Sequence, residues 1–184
     1  LVYRGGWPIF VIGLIAIAMG ILYTATPFSL AYTGTADGIA LLFFGPIAVA
    51  GTYYVQVLTW DLNAIVFGTC LGCFATAILT VNNIRDRKQD ALANKRTLTV
   101  RFGRAFSEWE YTVMTTIPII LGSIWIYKIQ SHFYSFSILL LIPSTIYINQ
   151  HIRHQPEDKL TPYLGKTAQL MIAYTILFSI GYLV

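Results

Sequence analysis

The sequence predicts an all-α fold, a polytopic transmembrane helix bundle, and three observations predict it. Of its 184 residues, 56% are hydrophobic and only 11% are charged, against roughly 25% charged in a soluble domain. The mean hydropathy is +0.64. The apolar residues gather into runs close to the about 20 residues that cross a bilayer core. These runs are too long and too unalternating for barrel strands, so the backbone is satisfied within helices. This composition excludes a soluble enzyme, a disordered chain and a secreted disulfide scaffold.

Six spans are expected, at about 5–24, 39–58, 63–83, 111–127, 134–149 and 168–184, all within a single integral membrane domain 1–184. Trp7, Trp60, Trp109 and Trp125 fall near span ends, where interfacial aromatics belong. The connections alternate between two faces. One face holds the N-terminus, the 59–62 turn, the 128–133 loop and the C-terminus, with Arg4 and Lys128. The other holds the loops 25–38, 84–110 and 150–167. It carries Arg85, Arg87, Lys88, Lys95, Arg96, Arg101, Arg104, Arg153, Lys159 and Lys166. This asymmetry places the second face in the cytoplasm of a multi-pass inner or plasma membrane protein.

Other motifs carry little chemistry. Cys70 and Cys73 form a CxxC inside an apolar run, with no second pair, and read as small packing residues. His132, His151 and His154 lack the spacing of a metal site. Gly68 and Gly72 form a GxxxG that reads as close helix packing. The chain begins at Leu1 with no signal-peptide layout, and is expected to be an N-terminally truncated fragment.

One segment stands out, running from Asn82-Asn83-Ile84-Arg85-Asp86 to Asp90, then Asn94-Lys95-Arg96-Thr97-Leu98-Thr99-Val100-Arg101-Phe102-Gly103. It continues directly from an apolar span. On a continuing helix, Asn82, Asp86 and Asp90 are four residues apart and share one face. Two carboxylates and an amide oxygen on one stripe suit Mg²⁺, which takes its other ligands from water and substrate phosphates. Lys95, Arg96 and Arg101 follow at the same mouth as candidate donors to phosphate oxygens. The plainer reading, a solvated loop whose cations obey the topology rule, fits Arg87, Lys88 and Arg104 best. It fits Asn82, Asp86 and Asp90 worst, because polar side chains near membrane depth need a cavity or a partner.

This string resembles the second aspartate-rich motif of the UbiA superfamily of intramembrane prenyltransferases, and most nearly its 1,4-dihydroxy-2-naphthoate polyprenyltransferase branch. That branch carries Asn-Asn-x-Arg-Asp-x-x-x-Asp-x-x-x-Gly-Lys-x-Thr-Leu-x-Val-Arg-x-Gly. Asn94 stands where Gly is usual, and Asn tolerates a left-handed turn. Phe43 to Tyr54 resembles the family's fifth helix. Tyr23-Thr24-Ala25-Thr26-Pro27 and Tyr32-Thr33-Gly34 resemble the loop before it, although Pro27 stands where related branches place a Lys. Leu160 to Lys166 resembles the start of the last helix.

The resemblance implies a nine-helix fold of which these spans are the last six. It implies Mg²⁺-dependent transfer of a polyprenyl group from polyprenyl diphosphate to the aromatic acid 1,4-dihydroxy-2-naphthoate, with decarboxylation, in quinone biosynthesis. The implied partners are those two substrates and the lipid bilayer, with no nucleic acid. Asp86 and Asp90 are the implied catalytic residues, with Asn82 as a third metal ligand. Lys95, Arg101 and Arg96 would bind diphosphate. Tyr23, Tyr53 and Tyr54 are candidate substrate-pocket residues, with Gln56 a weaker one and helix packing the alternative.

The family's first aspartate-rich motif has no counterpart in these 184 residues, so the isolated chain is expected to be inactive. Another aromatic acceptor and a non-catalytic membrane bundle remain as alternative readings. A CDP-alcohol phosphotransferase is disfavoured because its Asp-Gly-x-x-Ala-Arg lead is absent.

Overall fold

The structure is a computed structural model. It describes residues 1–24, 29–129 and 132–183, without the side chains of 132–135. Ala25 to Phe28 of the 25–38 loop lie outside the described residues, as do Gln130, Ser131 and Val184.

The described residues form helices and turns. Helix α1 (Val2–Thr24) breaks at Gly6, whose φ of 63° is left-handed, just before Pro8. Arg4 donates from Nε to the Val55 carbonyl at 2.7 Å and from Nη2 to the Gln56 carbonyl at 2.6 Å. It thereby satisfies carbonyls that the end of the next helix leaves unpaired. That helix, α2 (Ala36–Val57), carries a π-helical turn at Phe43–Ile47 around Gly45 and Pro46. Pro46 has no N–H to donate, so the ladder widens there.

Helix α3 (Leu62–Leu92) is the axis of the bundle. Asp61 caps it by accepting the Asn63 and Ala64 N–H groups. Its 31 residues rise about 46 Å at 1.5 Å per residue, against a hydrocarbon layer of roughly 30 Å. The apolar stretch ends near Ile84, so the turns from Arg85 onward project beyond the layer. Cys70, Phe74, Ala77, Val81 and Ile84 of α3 are fully or nearly fully buried.

The rest packs around that column. After a short helix α4 (Leu98–Phe102) come α5 (Arg104–Ile129), α6 (His132–Leu139), α7 (Ile142–His154) and α8 (Thr161–Leu183). Phe74 of α3 meets Tyr174 of α8 with ring centres 5.2 Å apart, and Phe67 stacks on Phe178 at 4.6 Å. The Tyr111 and Thr167 hydroxyls of α5 and α8 are 2.8 Å apart. Arg104 Nη2 donates to the Ile152 and Gln155 carbonyls at 2.7 Å, closing the end of α7.

Four helices are long and apolar enough to cross a membrane: Val2–Thr24, Ala36–Val57, Leu62–Leu92 and Arg104–Ile129. They match the first four expected spans. The fifth, 134–149, is instead two helices that break at Leu140 and Leu141. Pro143 lacks the N–H that would continue the helix and restricts the residue before it. The sixth is a helix of sufficient length, α8, but its early turns carry Lys166 and Gln169.

The glycines explain how α2 approaches α3. A Cβ on Gly45 would lie 2.8 Å from the Gly68 carbonyl oxygen, and one on Gly68 would lie 2.8 Å from Pro46 Cα. A Cβ on Gly72 would overlap the Leu41 carbonyl oxygen. The GxxxG is thus a backbone-to-backbone contact. Gly72→Val is expected to lower unfolding free energy in detergent by about 1–3 kcal/mol. Gly13→Ala, with open space around it, is expected to change thermal stability little, and the paired melts check both.

Candidate functional site

The site is built on the end of α3. Asn82, Asp86 and Asp90 lie on this one continuous helix, at four-residue intervals that align them on a stripe. Each member of the stripe has a cationic partner. Arg85 Nη2 donates to Asn82 Oδ1 at 2.6 Å and to Asp86 Oδ2 at 2.7 Å, and Arg85 Nε donates to Asp86 Oδ1 at 2.7 Å. These bonds hold the Asp86 carboxyl below the usual carboxylate range, so it is ionised at neutral pH. Lys95 Nζ donates to both oxygens of Asp90, at 3.2 and 3.3 Å. Asp90 is only 8% exposed, and the Lys95 ammonium gives it the partner that a buried carboxyl group needs.

The turn after α3 brings Lys95 back to Asp90. Asn94 has φ 55°, the left-handed conformation expected for it, and the Lys95 N–H donates to the Asp90 carbonyl at 2.8 Å. The following loop is fixed by Tyr32, whose carbonyl accepts the Arg96 N–H at 3.0 Å. A Cβ on Gly34 would lie 2.9 Å from the Arg96 carbonyl oxygen and 3.6 Å from Arg101 Cδ. The Tyr32-Thr33-Gly34 turn therefore lies directly on the segment bearing Arg96 and Arg101. Both arginines are exposed.

An apolar cavity of about 920 Å³ reaches the stripe. It lies between α1, α2 and α3, with Met19, Tyr23, Ala40, Phe44 and Ile78 on its wall and Asn82 as its one carboxamide. Tyr23 thus shares a cavity with the first member of the stripe. Tyr53 and Tyr54 do not. They sit near the far end of α2, about 20 Å along the axis from Ala40. Tyr54 stacks on Trp60 at 4.4 Å. Tyr53 lines a separate pocket with Asp61, Asn63 and Phe178. The carbonyl of Gln56 accepts from Arg4.

Other cations fasten the site to its surroundings. Arg87 Nε donates to Glu157 Oε1 at 2.8 Å, and Lys88 Nζ lies 3.8 Å from Glu157 Oε2. These contacts tie α3 to the 150–167 loop. Behind the stripe, Asn83 donates to Asp37 Oδ1 at 3.3 Å, while Asp37 Oδ2 has no partner among the described residues. Glu110 of α5 is 7% exposed in the same layer. Sequence reasoning assigned no role to Arg85, Asp37 or Glu110. For Arg85 the signal was its place between Asn82 and Asp86 and the Arg at the same position of the resembled motif.

The donors suit a hard cation. Asn82, Asp86 and Asp90 offer only oxygen atoms, at least one carboxylate is ionised, and both acids already attract positive charge. The described residues hold no group of three or more His, Cys, Asp or Glu side chains placed to bind a metal together. The stripe therefore supplies part of a coordination shell, and Arg85 and Lys95 supply the neutralising charge.

The family model for the UbiA prenyltransferase family matches residues 1–179. The chain is 30% identical over 177 residues to 1,4-dihydroxy-2-naphthoate octaprenyltransferase of Haemophilus influenzae, covering 94% of this chain and 56% of that protein. It is 36% identical over 110 residues to the protein of the same name from Mycobacterium tuberculosis, covering 60% and 38%. Against 2-carboxy-1,4-naphthoquinone phytyltransferase of Synechocystis it is 25% identical over 155 residues, covering 83% and 50%. The chain spans about half the length of these relatives.

The left-handed turn and the Asp90–Lys95 pair can be tested without substrate. Asn94→Gly is expected to leave stability nearly unchanged. Asn94→Val, with a β-branched side chain at positive φ, is expected to cost about 1–3 kcal/mol. Equal melting temperatures for the two variants would contradict the turn assignment.

Proposed function

The chain belongs to the UbiA prenyltransferase family, and on that premise we propose that it forms one half-site for transfer of a polyprenyl group from polyprenyl diphosphate to 1,4-dihydroxy-2-naphthoate. One observation carries this reading: the apolar cavity ends at Asn82, the first residue of the stripe that continues to Asp86 and Asp90. A hydrocarbon tail and a diphosphate head need these two surroundings side by side.

In this reading the tail lies in the cavity beside Met19, Phe44 and Ile78. The head sits against the stripe. Asp86, Asp90 and Asn82 would hold Mg²⁺, which would supply positive charge against the departing diphosphate. Lys95 and Arg85 are the cations nearest to that head, and each exchanges its carboxylate for a phosphate oxygen on binding. Arg101 and Arg96 flank the mouth and draw in the anionic head.

The allylic C–O bond breaks and its electron pair leaves with the diphosphate. The electron-rich naphthoate ring attacks the allylic carbon and forms the new C–C bond. The ring carboxylate then departs as CO₂, restoring aromaticity. The apolar wall keeps water from the cation-like carbon. Tyr23 lines that wall, where its ring would stabilise positive charge. The basic loops lie on the cytoplasmic side, as the positive-inside rule requires.

Asp86→Ala and Asp90→Ala, each made in the native protein, are expected to lower prenyl transfer about 100-fold or more while leaving membrane insertion intact. Melting temperature is expected to rise when Mg²⁺ and a prenyl diphosphate are added together. That rise should vanish in both variants. Near-normal transfer by either one would show that the stripe does not hold the metal.

A further inference from the structure

The groove between α7 and α8 lies on the other side of α8 from the apolar cavity. Leu164 lines the cavity and Lys166 lines the groove. Two residues apart, they point about 200° apart round the helix. The groove holds about 660 Å³, and its lining is graded with depth.

Nearest the basic loops, Lys166 Nζ lies 4.9 Å from the Tyr147 ring centre and 4.8 Å from that of Tyr163. It also donates to Tyr147 Oη at 3.4 Å. Among the described residues the ammonium makes no ion pair with a carboxylate. It is held by ring faces but left uncompensated. One turn deeper come Ser144 and Gln169, both exposed. A further turn in are the apolar Leu141 and Ala173.

A cation, then a hydroxyl and an amide, then hydrocarbon is the order of contacts that a phospholipid seeks: phosphate, glycerol ester, acyl chain. We propose that this groove binds an anionic phospholipid, with its phosphate on Lys166, an ester carbonyl on the Gln169 amide and an acyl chain along Leu141 and Ala173. Charge selects the anionic class. Arg153 at the end of α7 adds positive charge toward the basic loops. A choline or ethanolamine headgroup would set another cation beside them, whereas an anionic headgroup adds none. The site requires that the helices lie in a bilayer with this groove facing lipid, and it does not depend on prenyl transfer.

The test is native mass spectrometry of the detergent-solubilised protein given equal phosphatidylglycerol and phosphatidylcholine. Phosphatidylglycerol adducts are expected in about fivefold excess. Lys166→Gln should abolish that excess and Lys166→Arg should retain it. Lys88→Gln, which removes an exposed cation at the same end of the bundle, should leave it unchanged. Glycerol phosphate without acyl chains should not displace the lipid. Equal binding of the two lipids by the wild type would overturn the proposal, even if the Gln variant fails to fold. An undiminished excess in Lys166→Gln, an equal loss in Lys88→Gln, or displacement by glycerol phosphate would also overturn it.

Discussion

A buried helix that ends in charge must have that charge met before its neighbours close around it. Helix α3 is packed on most sides along its apolar length, and its end carries Asn82, Asp86 and Asp90. Arg85 meets the first two and Lys95 meets the third. Lys95 reaches Asp90 only because the chain turns back through the left-handed Asn94. The rest of this face follows from that turn. It sets the path of the 95–101 segment, against which Tyr32 and Gly34 dock. It also leaves Asn82 and Asp86 half-buried at the edge of the bundle rather than in the core. Charges paired only by side chains within the site can be re-paired by a ligand that offers better partners, which suits the end of α3 to the binding role proposed for it.

Much of this was legible in the residues. The four-residue spacing of Asn82, Asp86 and Asp90 needs only a continuous helix, and no Gly or Pro between Thr80 and Leu92 interrupts one. Asn94 was readable because few residues accept positive φ. The GxxxG at Gly68 and Gly72 announced close packing, though not its partner, since Gly45 lies in a different span. The broken fifth span was less legible because hydropathy is blind to the hydrogen bond that Pro143 removes.

The role of Tyr53 and Tyr54 was not legible. Their composition suits a pocket near a carbocation and an interfacial anchor equally well. The alternation of spans already sets them near the 59–62 turn, at the opposite end from Asn82, and the Gly45–Gly68 contact fixes that depth. The Arg85 pairing was hidden for a similar reason. Adjacent residues on a helix point about 100° apart, and a long guanidinium closes that gap in a way that spacing rules do not describe. That Asp37 Oδ2 has no partner among the described residues depends on how separate helices meet, which no local pattern encodes.

In the proposed reading α1, α2 and α3 hold the hydrocarbon tail of a substrate, and the outer groove of α7 and α8 holds the bilayer's own lipid. The central claim is that the cavity ending at Asn82 is where the prenyl tail lies. The most direct measurement is photo-crosslinking with a prenyl diphosphate that carries a diazirine on its tail, followed by peptide mapping. Mg²⁺-dependent labels concentrated on Met19, Phe44 and Ile78 are predicted. Labels confined to the α7–α8 groove or to the pocket beside Tyr53, or indifferent to Mg²⁺, would contradict it.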